Sequence, residues 1–263
     1  MTTTAENLVV ATRLEDGAVL DLRLNRPKAN ILDAAMMAAL SAELTAAVGD
    51  KDLKLVVLRG TGGHFSFGAS VEEHQKAQAP GMLAGFHALI RQLGHFPVPV
   101  AALIEGQCLG GAFEVVLVCH LLFATPNAQL GCPEIRLGVL PPVLAAVGAQ
   151  RLGGALAERL LLTGASLPAA EAQQHGLLTI LDGEVPPLDQ VLAWYRKHLA
   201  GLSAFALRQG TKAIRQGSGL FAALDGGLAE AEALYLREIL PSHDGNEGID
   251  AFLARRPAKW VNG

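Results

Sequence analysis

The first 190 residues alternate between short apolar strands, turns and helices, and this alternation restricts the possible folds more than any other feature of the chain. Strands are predicted at residues 8–13, 19–24, 55–59, 96–104, 121–124 and 129–131, and helices at 34–48 and 112–119. Asp33 precedes the first helix as an N-cap, and an Asp16–Gly17 turn separates the first two strands. Strands that alternate with helices are typical of a mostly parallel sheet, so the sequence predicts an α/β fold.

Beyond about residue 190 the pattern becomes purely helical. Helices are predicted at residues 191–199, 205–216, 220–240 and 247–255, with no strand between them. No linker rich in Ser or charge separates this part from the rest of the chain. We therefore expect an α/β core with the functional site at residues 1–198 and a helical region for self-association at residues 199–263.

The composition favours a folded protein that also buries surface between subunits. Hydrophobic residues make up 51% of the 263 residues and charged residues 17%, which excludes a disordered chain. The formal net charge of −4 gives no basic field for nucleic acid or an anionic membrane. The N-terminus lacks a basic stretch followed by an apolar run. We expect a cytoplasmic protein that self-associates and binds neither nucleic acid nor a membrane.

Common cofactor and nucleophile motifs do not account for the chain. The GTGG turn at 60–63 lacks the third glycine of a dinucleotide-binding loop, because Phe65 occupies that position. No phosphate-binding GxxxxGK[ST] sequence, GxSxG nucleophile turn or HExxH zinc motif is present. His120 lies in an apolar run and is interpreted as a satisfied core histidine, and the three Cys as small core residues. We expect neither a metal nor a redox cofactor.

Glu114 is the only Asp, Glu, Lys or Arg between Gly106 and Pro133. The residues three and four positions away on either side are glycine, leucine or valine, whereas an exposed helix face would carry polar neighbours there. Burial raises the pKa of a lone carboxyl group and is costly if the group is charged. The pattern therefore indicates a functional carboxylate rather than an exposed one.

Two glycine-containing turns provide backbone N–H groups near this carboxylate. Gly110–Gly111 precedes the helix that carries Glu114, and the unpaired N–H groups at a helix start can hold an oxyanion. Tight helix packing would explain the same glycines. A second turn at residues 65–70 contains Gly68 and could present another N–H group to the same oxygen. Glu134 follows a strand in GCPE, and on its own it is explained by a solvated loop.

Four segments resemble the crotonase, or enoyl-CoA hydratase/isomerase, superfamily: LNRPKAN (24–30), HFSFGAS (64–70), GQCLGGAFE (106–114) and GCPEIRLGVLP (131–141). The sequence EGIDAFLARRPAKW (247–260) resembles that family's tail, so the matches span nearly the whole chain. FSFGASVEEH, GQCLGG and ALYLREILPSHDGNEG (233–248) are more similar to the family's cyclohexa-1,5-diene-1-carbonyl-CoA hydratases.

The resemblance implies a spiral of ββα repeats followed by a C-terminal helical layer that builds trimers, often paired into hexamers. It also implies an acyl-CoA substrate whose thioester oxygen lies between the backbone N–H groups of Ala69 and Gly111. The family's two hydratase carboxylates fall on Glu114 and Glu134. Because both are present, the resemblance favours addition of water over the other reactions of the family.

The resemblance further implies contacts to coenzyme A, which is part of the substrate, so no separate cofactor is expected. Lys28 and Ala29 match a loop near the CoA adenosine and phosphates. Phe252 and Arg255 match tail positions that, in the family, reach the CoA of a neighbouring subunit.

One stretch departs from the family's common pattern. A glycine-rich PGxGGTQRL sequence usually follows the second Glu and lines the acyl pocket, whereas the stretch from Pro141 to Leu152 is longer and bulkier. A cyclic acyl group fits this departure better than a linear one. We expect hydration of cyclohexa-1,5-diene-1-carbonyl-CoA to 6-hydroxycyclohex-1-ene-1-carbonyl-CoA, as in anaerobic benzoyl-CoA degradation. Glu114 would activate water and Glu134 would deliver a proton.

Four alternatives stay open at this point. The chain could be a hydratase for linear enoyl-CoA or an enoyl-CoA isomerase, in which the second carboxylate would be a spectator. A thioester hydrolase could use the same pair of N–H groups. A non-catalytic acyl-CoA-binding subunit would be expected to lack a carboxylate or to block the glycine pair, and neither change is seen.

Overall fold

A computed structural model describes residues 7–263, which form one large sheet, one small sheet and a series of helices. The strands of the large sheet are β1 (Val9–Leu14), β2 (Val19–Leu24), β3 (Leu55–Gly60), β4 (Val100–Ile104), β6 (Leu121–Ala124) and β9 (Thr179–Ile180). They are ordered β1-β2-β3-β4-β6-β9, and every neighbouring pair is parallel except β1–β2. In the small sheet, β7 (Gln129–Gly131) pairs in parallel with β5 (Gln107–Leu109) and antiparallel with β8 (Leu167–Pro168).

Helices follow the strands and then continue alone to the C-terminus. They are α1 (Ala34–Ala47), α2 (Ala79–Gly94), α3 (Gly111–Leu117), α4 (Pro142–Leu152), α5 (Gly154–Thr163), α6 (Ala169–Gln174), α7 (Pro187–His198), α8 (Ala204–Gly217), α9 (Leu220–Ala222), α10 (Leu228–Leu234) and α11 (His243–Leu253). Two π-helical stretches, Ala223–Gly227 and Tyr235–Ile239, flank α10. Among residues 7–263, no helix is long and apolar enough to cross a membrane.

Both faces of the large sheet are buried, which explains why its strands are continuously apolar. Along β3, Val56 and Leu58 join the apolar cluster that includes α1 and α2. Leu55 and Val57 point the other way, into a second cluster that includes Tyr195 of α7. The alternating side chains of one strand therefore fix two layers of helices, one on each face.

The structure confirms the α/β fold and most of the predicted elements. The strand predicted at 96–104 begins only at Val100, because Pro97 and Pro99 have no N–H group to donate to a sheet. Helices α2, α4, α5 and α6 and strands β5, β8 and β9 were not predicted from the sequence. In the described chain no strand follows β9, as expected for a helical C-terminal region.

The C-terminal helices pack on the part of the chain that carries Glu134. Helix α10 contacts α4, and α11 contacts the short 3₁₀ turn Glu134–Leu137. Gly248 of α11 lies directly against the backbone carbonyl of Leu137, where a larger residue would collide. The domain division at residue 198 and the assembly of these helices into trimers remain predictions.

The structure confirms that the three cysteines are core residues, but it corrects the prediction for His120. Cys108, Cys119 and Cys132 are buried free thiols. His120 Nδ1 accepts a hydrogen bond of 3.0 Å from the Val100 N–H, but its Nε2 is buried and has no partner within the described residues. The interpretation of His120 as a satisfied histidine is therefore wrong at Nε2.

Candidate active site

Three chain segments run side by side in parallel and bring the expected site residues to one edge. Residue Ser66 bridges to Cys108 of β5, and β5 pairs with β7 so that Leu109 lies opposite Gly131. The residues that follow each segment therefore leave at the same edge of the small sheet. These residues are Ala69 after the first segment, Gly111 and Glu114 after the second, and Glu134 after the third.

The backbone N–H groups of Ala69 and Gly111 are neighbours, and within residues 7–263 neither has a hydrogen-bond acceptor. A Cβ atom built on Gly111 would lie 3.4 Å from the nitrogen of Ala69. Gly68 has a φ of +101°, and a Cβ there would lie 2.6 Å from the carbonyl oxygen of Leu109. Glycine is thus needed for the close approach of the two backbones. Two free N–H groups that converge in this way can hold a developing oxyanion.

A buried asparagine holds the loop that presents Ala69. The side-chain amide of Asn30 donates to the carbonyl oxygens of Thr61 (2.8 Å) and His64 (3.1 Å). The Ser66 hydroxyl donates to the Asn30 carbonyl (2.8 Å) and accepts from the Gly68 N–H (3.0 Å). Sequence reasoning singled out neither Asn30 nor Ser66 for this role, although both polar residues lie in apolar surroundings and are fully buried.

The same loop is paired with the segment proposed to contact CoA. The Phe67 N–H donates to the carbonyl oxygen of Ala29 (2.9 Å), which fixes Ala29 beside the turn that ends in Ala69. The side chain of Lys28 is exposed next to it. The structure therefore brings Lys28 and Ala29 close to the Ala69 side of the site.

Glu114 is buried, and only 3% of its surface is exposed. Its Oε1 accepts hydrogen bonds from the Val143 N–H (2.7 Å) and the Leu144 N–H (2.9 Å), which are unpaired donors in the first turn of α4. Burial raises the pKa of Glu114, while these two hydrogen bonds partly oppose the rise. The carboxyl group is thus fixed in position and can accept a proton near neutral pH.

Glu134 begins the 3₁₀ turn after β7, and its Oε2 is buried without a hydrogen-bond partner in the described chain. Its Oε1 packs against Gly110, where an added Cβ would lie 2.6 Å away. Burial raises the pKa of Glu134, and the charge of Glu114 raises it further. The sequence explanation of Glu134 as a solvated loop residue is therefore wrong.

Ala69, Gly111, Glu114 and Glu134 all line one small cavity. Its volume of about 20 Å³ is enough for roughly one water molecule. Other lining residues, none of them predicted for this site, are His74, Met82, Leu83, Phe86 and Tyr235. Of these, His74 and Tyr235 carry polar groups. The sequence favours a solvated helix start for Glu72–Glu73–His74 over a ligand cluster, and Tyr235 is marked only by its place in a segment quoted for the family resemblance.

Phe252 and Arg255 lie apart from this cavity, which they do not line in the described structure. Phe252 of α11 is 54% exposed, and Arg255 is exposed with a φ of +52°. Helix α11 packs on the Glu134–Leu137 turn through its other face. In residues 7–263, no group of three or more His, Cys, Asp or Glu side chains could hold a metal ion.

The family model described as "Enoyl-CoA hydratase/isomerase" matches residues 15–263. The chain belongs to the enoyl-CoA hydratase/isomerase family. It is 45% identical over 247 residues to a cyclohexa-1,5-dienecarbonyl-CoA hydratase of Thauera aromatica, covering 94% of each chain. It is 35% identical to a 2,3-dehydroadipyl-CoA hydratase of Escherichia coli K12, covering 90% of this chain and 93% of the other.

Solved structures of this family confirm the crotonase-like fold. An enoyl-CoA hydratase from Mycobacterium avium subsp. paratuberculosis superposes with a TM-score of 0.82 at 25% identity, covering 97% of this chain and 99% of that one. An enoyl-CoA hydratase/isomerase from Xanthobacter autotrophicus superposes with a TM-score of 0.79 at 26% identity, covering 95% and 99%. The chain is therefore an acyl-CoA hydratase of the enoyl-CoA hydratase type.

Proposed function

We propose that this hydratase adds water to cyclohexa-1,5-diene-1-carbonyl-CoA and forms 6-hydroxycyclohex-1-ene-1-carbonyl-CoA. The observation that carries the proposal is that Glu114, Glu134, Ala69 and Gly111 line one cavity, while the N–H groups of Ala69 and Gly111 have no acceptor in the described chain. The 45% identity to a hydratase named for this substrate supports the choice of acyl group.

The thioester oxygen would accept hydrogen bonds from the N–H groups of Ala69 and Gly111. These bonds strengthen as hydroxide adds to the β-carbon, C2 of the ring, because the carbonyl then becomes a dienolate with negative charge on oxygen. Removing one such donor from an oxyanion site typically costs about 3–4 kcal/mol of transition-state stabilisation. Neither N–H group has another acceptor in the described structure, so both are preorganised for this task.

The two carboxyl groups would share one proton between them. Glu114 accepts two backbone hydrogen bonds that stabilise its charged form, whereas Oε2 of Glu134 has no such donor in the described chain. The negative charge therefore rests more easily on Glu114 and the proton on Glu134. Glu114 takes a proton from water as the C2–O bond forms, and Glu134 gives its proton to C5 as the remaining double bond moves to C1–C6.

A ring substrate suits the wall that follows Glu134. Pro141 and Pro142 line the cavity at the start of α4, which begins immediately behind Glu114. Phe86 of α2 and Tyr235 line the same cavity. Walls built from two rigid prolines and two aromatic rings suit a compact, flat acyl group better than a long flexible chain.

The remaining contacts extend this proposal beyond the acyl group. Lys28 and Ala29 would bind the adenosine and phosphate end of CoA, since they lie beside the loop that presents Ala69. Phe252 and Arg255 would reach the CoA of a neighbouring subunit in a trimer or hexamer, which is consistent with their exposure in this chain. A cytoplasmic location is part of the same proposal.

The test compares two substrates on the purified protein. Cyclohexa-1,5-diene-1-carbonyl-CoA and crotonyl-CoA are offered separately, and the gain of one water is followed by liquid chromatography and mass spectrometry. We expect turnover of the ring thioester with crotonyl-CoA nearly inert. A preference for crotonyl-CoA would overturn the ring assignment and leave a linear enoyl-CoA hydratase, which the similarity to a 2,3-dehydroadipyl-CoA hydratase also supports.

The same assay separates the other reactions of this fold. Deuterium uptake from heavy water without a gain of water would identify an isomerase, and release of free CoA would identify a thioester hydrolase. Inertness towards both thioesters together with tight binding would indicate a non-catalytic subunit. Each of these results would contradict the proposed hydration.

A further inference from the structure

A second and much larger cavity lies where the strands of the large sheet begin, at the end opposite the acidic pair. It is lined by Pro99 and Leu121, at the beginnings of β4 and β6, whereas the hydratase site lies beyond the ends of strands. Its volume of about 600 Å³ is in the usual range of small-molecule sites, roughly 300–1,000 Å³. Trp194 of α7 and Leu207 and Ile214 of α8 provide apolar walls.

Two arginines lie in this cavity without an acidic partner. Arg151, in the last turn of α4, donates to the carbonyl oxygen of Cys119 (3.0 Å), and Arg215 of α8 donates to that of Val118 (2.6 Å). Within residues 7–263 neither arginine forms an ion pair, and no Asp or Glu lines the cavity. Burial lowers the pKa of Arg215 to about 10, and the charge of Arg151 contributes, so both remain charged at neutral pH.

Two buried hydrogen-bond donors on residues that line the cavity also have no acceptor, although neither donor atom is itself exposed in the cavity. The Nε of Arg151 is buried and has no acceptor in the described chain. His120 accepts the Val100 N–H at Nδ1, so its ring proton is on Nε2, which likewise has no acceptor there. Burial, together with the two arginine charges, lowers the pKa of His120 to about 2, so the ring stays neutral.

Buried charges and buried donors are costly unless something pairs with them. The cavity offers two positive charges next to apolar walls, which together match a carboxylate joined to an apolar body. We propose that this cavity binds an organic carboxylate with an apolar tail, its carboxylate between Arg151 and Arg215 and its tail against Trp194 and α8. Inorganic anions would satisfy only the polar half of the site.

The cavity is separate from the acyl-CoA site but joined to it by two helices. The first turn of α4 holds Glu114, and its last turn carries Arg151. Helix α3 begins at Gly111 in the hydratase site, and the chain just after its end provides the carbonyl oxygens held by Arg151 and Arg215. Both helices therefore run from the acidic pair to the arginine pair. The second site does not depend on which thioester the enzyme hydrates.

Trp194 provides a direct measure of binding, with octanoate as the probe. The chain has two Trp, so a Trp260→Phe background leaves Trp194 as the single fluorophore. Titration with octanoate is expected to change the Trp194 fluorescence and to saturate. Octanamide has the same tail without the charge and is expected to bind at least about tenfold more weakly. Sulfate, with charge but no tail, is also expected to bind more weakly than octanoate.

Three variants in that background locate the site. Arg151→Gln and Arg215→Gln are each expected to weaken octanoate binding about tenfold or more, because each removes one charge-assisted contact. Gly210→Leu should abolish binding by occupying the cavity while leaving both arginines in place. A Cβ on Gly210 meets nothing within 4 Å, and the residue lies inside α8, so this variant should fold.

The proposal fails on any of three results. No saturable signal at millimolar octanoate would mean that the cavity is closed in the assembled protein, for instance by a second copy of the chain. Equal binding of octanamide would mean that the arginines do not recognise the ligand. Undiminished binding to Gly210→Leu, with circular dichroism showing an intact fold, would place octanoate elsewhere.

Discussion

The two ends of the α3–α4 helix pair make opposite environments from the same elements. At one end, Glu114 and Glu134 are like charges in a cavity for about one water molecule. At the other end, Arg151 and Arg215 are like charges in a cavity of about 600 Å³. Neither pair has a counter-charge among the described residues. At each end the repulsion between like charges is therefore not balanced by another side chain of the described chain.

The direction of the helices explains which charge lies at which end. The N-termini of α3 and α4 point to the acidic pair, where unpaired N–H groups stabilise negative charge. Their C-terminal ends lie at the arginine pair, where carbonyl oxygens accept from the guanidinium groups. The acidic pair can relieve its repulsion by taking up a proton, because its pKa values are raised towards neutrality. The arginine pair has no such route near neutral pH, and the anion that we propose for the cavity would relieve its repulsion.

The largest expected effect is the loss of kcat when either carboxylate of the acidic end is removed. Glu114→Gln and Glu134→Gln are each expected to lower kcat by about 10²–10⁴-fold, because each removes one proton transfer. The exposed Glu158→Gln is the matched control and should keep full activity. Steady-state kinetics on the preferred thioester measures kcat, and calorimetry with CoA checks that binding is intact. Near-full activity in either variant would refute the shared-proton mechanism.

A smaller loss is expected from moving Glu134 without changing it. Gly110 has a φ of +54°, and a Cβ there would lie 2.6 Å from Oε1 of Glu134. Gly110→Ala should therefore displace the carboxyl group and lower kcat by about 10–100-fold, since a displacement of about 1 Å is enough for such a loss. Gly85→Ala in α2 is the control, because a Cβ there meets nothing within 4 Å. Unchanged kcat in Gly110→Ala would show that the Glu134 position is not critical.

The sequence predicted the acidic end far better than the basic end. Glu114 is conspicuous as the one charged residue in an apolar stretch, and the glycines mark the close backbone approach at Gly111. Arg151 and Arg215 lie 64 positions apart, each among residues typical of an exposed helix end. They come together because both donate to carbonyl oxygens in the segment just after α3, a tertiary contact that leaves no local pattern.

The same reasoning explains which elements were missed. Helix α2 buries Met82, Phe86 and Leu93 on one face. This helical spacing is visible in the sequence, although no helix was predicted there. Strands β8 and β9 have two residues each, which is too short for any alternation to show. Asn30 acts through three carbonyl oxygens more than thirty residues away, so its role depends on tertiary contacts alone.

Replacing Glu134 should also stabilise the fold, but only where the pair is ionised. Burial in the folded state raises the pKa of Glu134 from 4.5 to about 8, so between these pH values the folded state binds more protons than the unfolded state. The free energy of unfolding therefore falls as pH rises through this range. Glu134→Gln stays neutral and does not lose this stability. Its free energy of unfolding should exceed the wild-type value by about 1 kcal/mol near pH 8 and match it near pH 4. Urea denaturation at both pH values measures the difference, and an equal difference at both would contradict the shift.

The smallest expected effect is on the free energy of unfolding of a variant at the arginine end, and that effect should not depend on pH. Arg151→Gln removes one of two repelling charges but also weakens a hydrogen bond to the Cys119 carbonyl, so the two effects oppose each other. The change in the free energy of unfolding should stay below about 1 kcal/mol. Burial lowers the pKa of Arg151 below its ordinary value and that of Arg215 to about 10, so protonation of the arginines affects stability only in alkaline solution. The difference between Arg151→Gln and wild type should therefore be the same near pH 5 and near pH 8, in contrast to Glu134→Gln. A difference that changes across this range would mean that a carboxylate or histidine titrates beside the arginines. The arginine end would then depend on pH near neutrality, as the acidic end does.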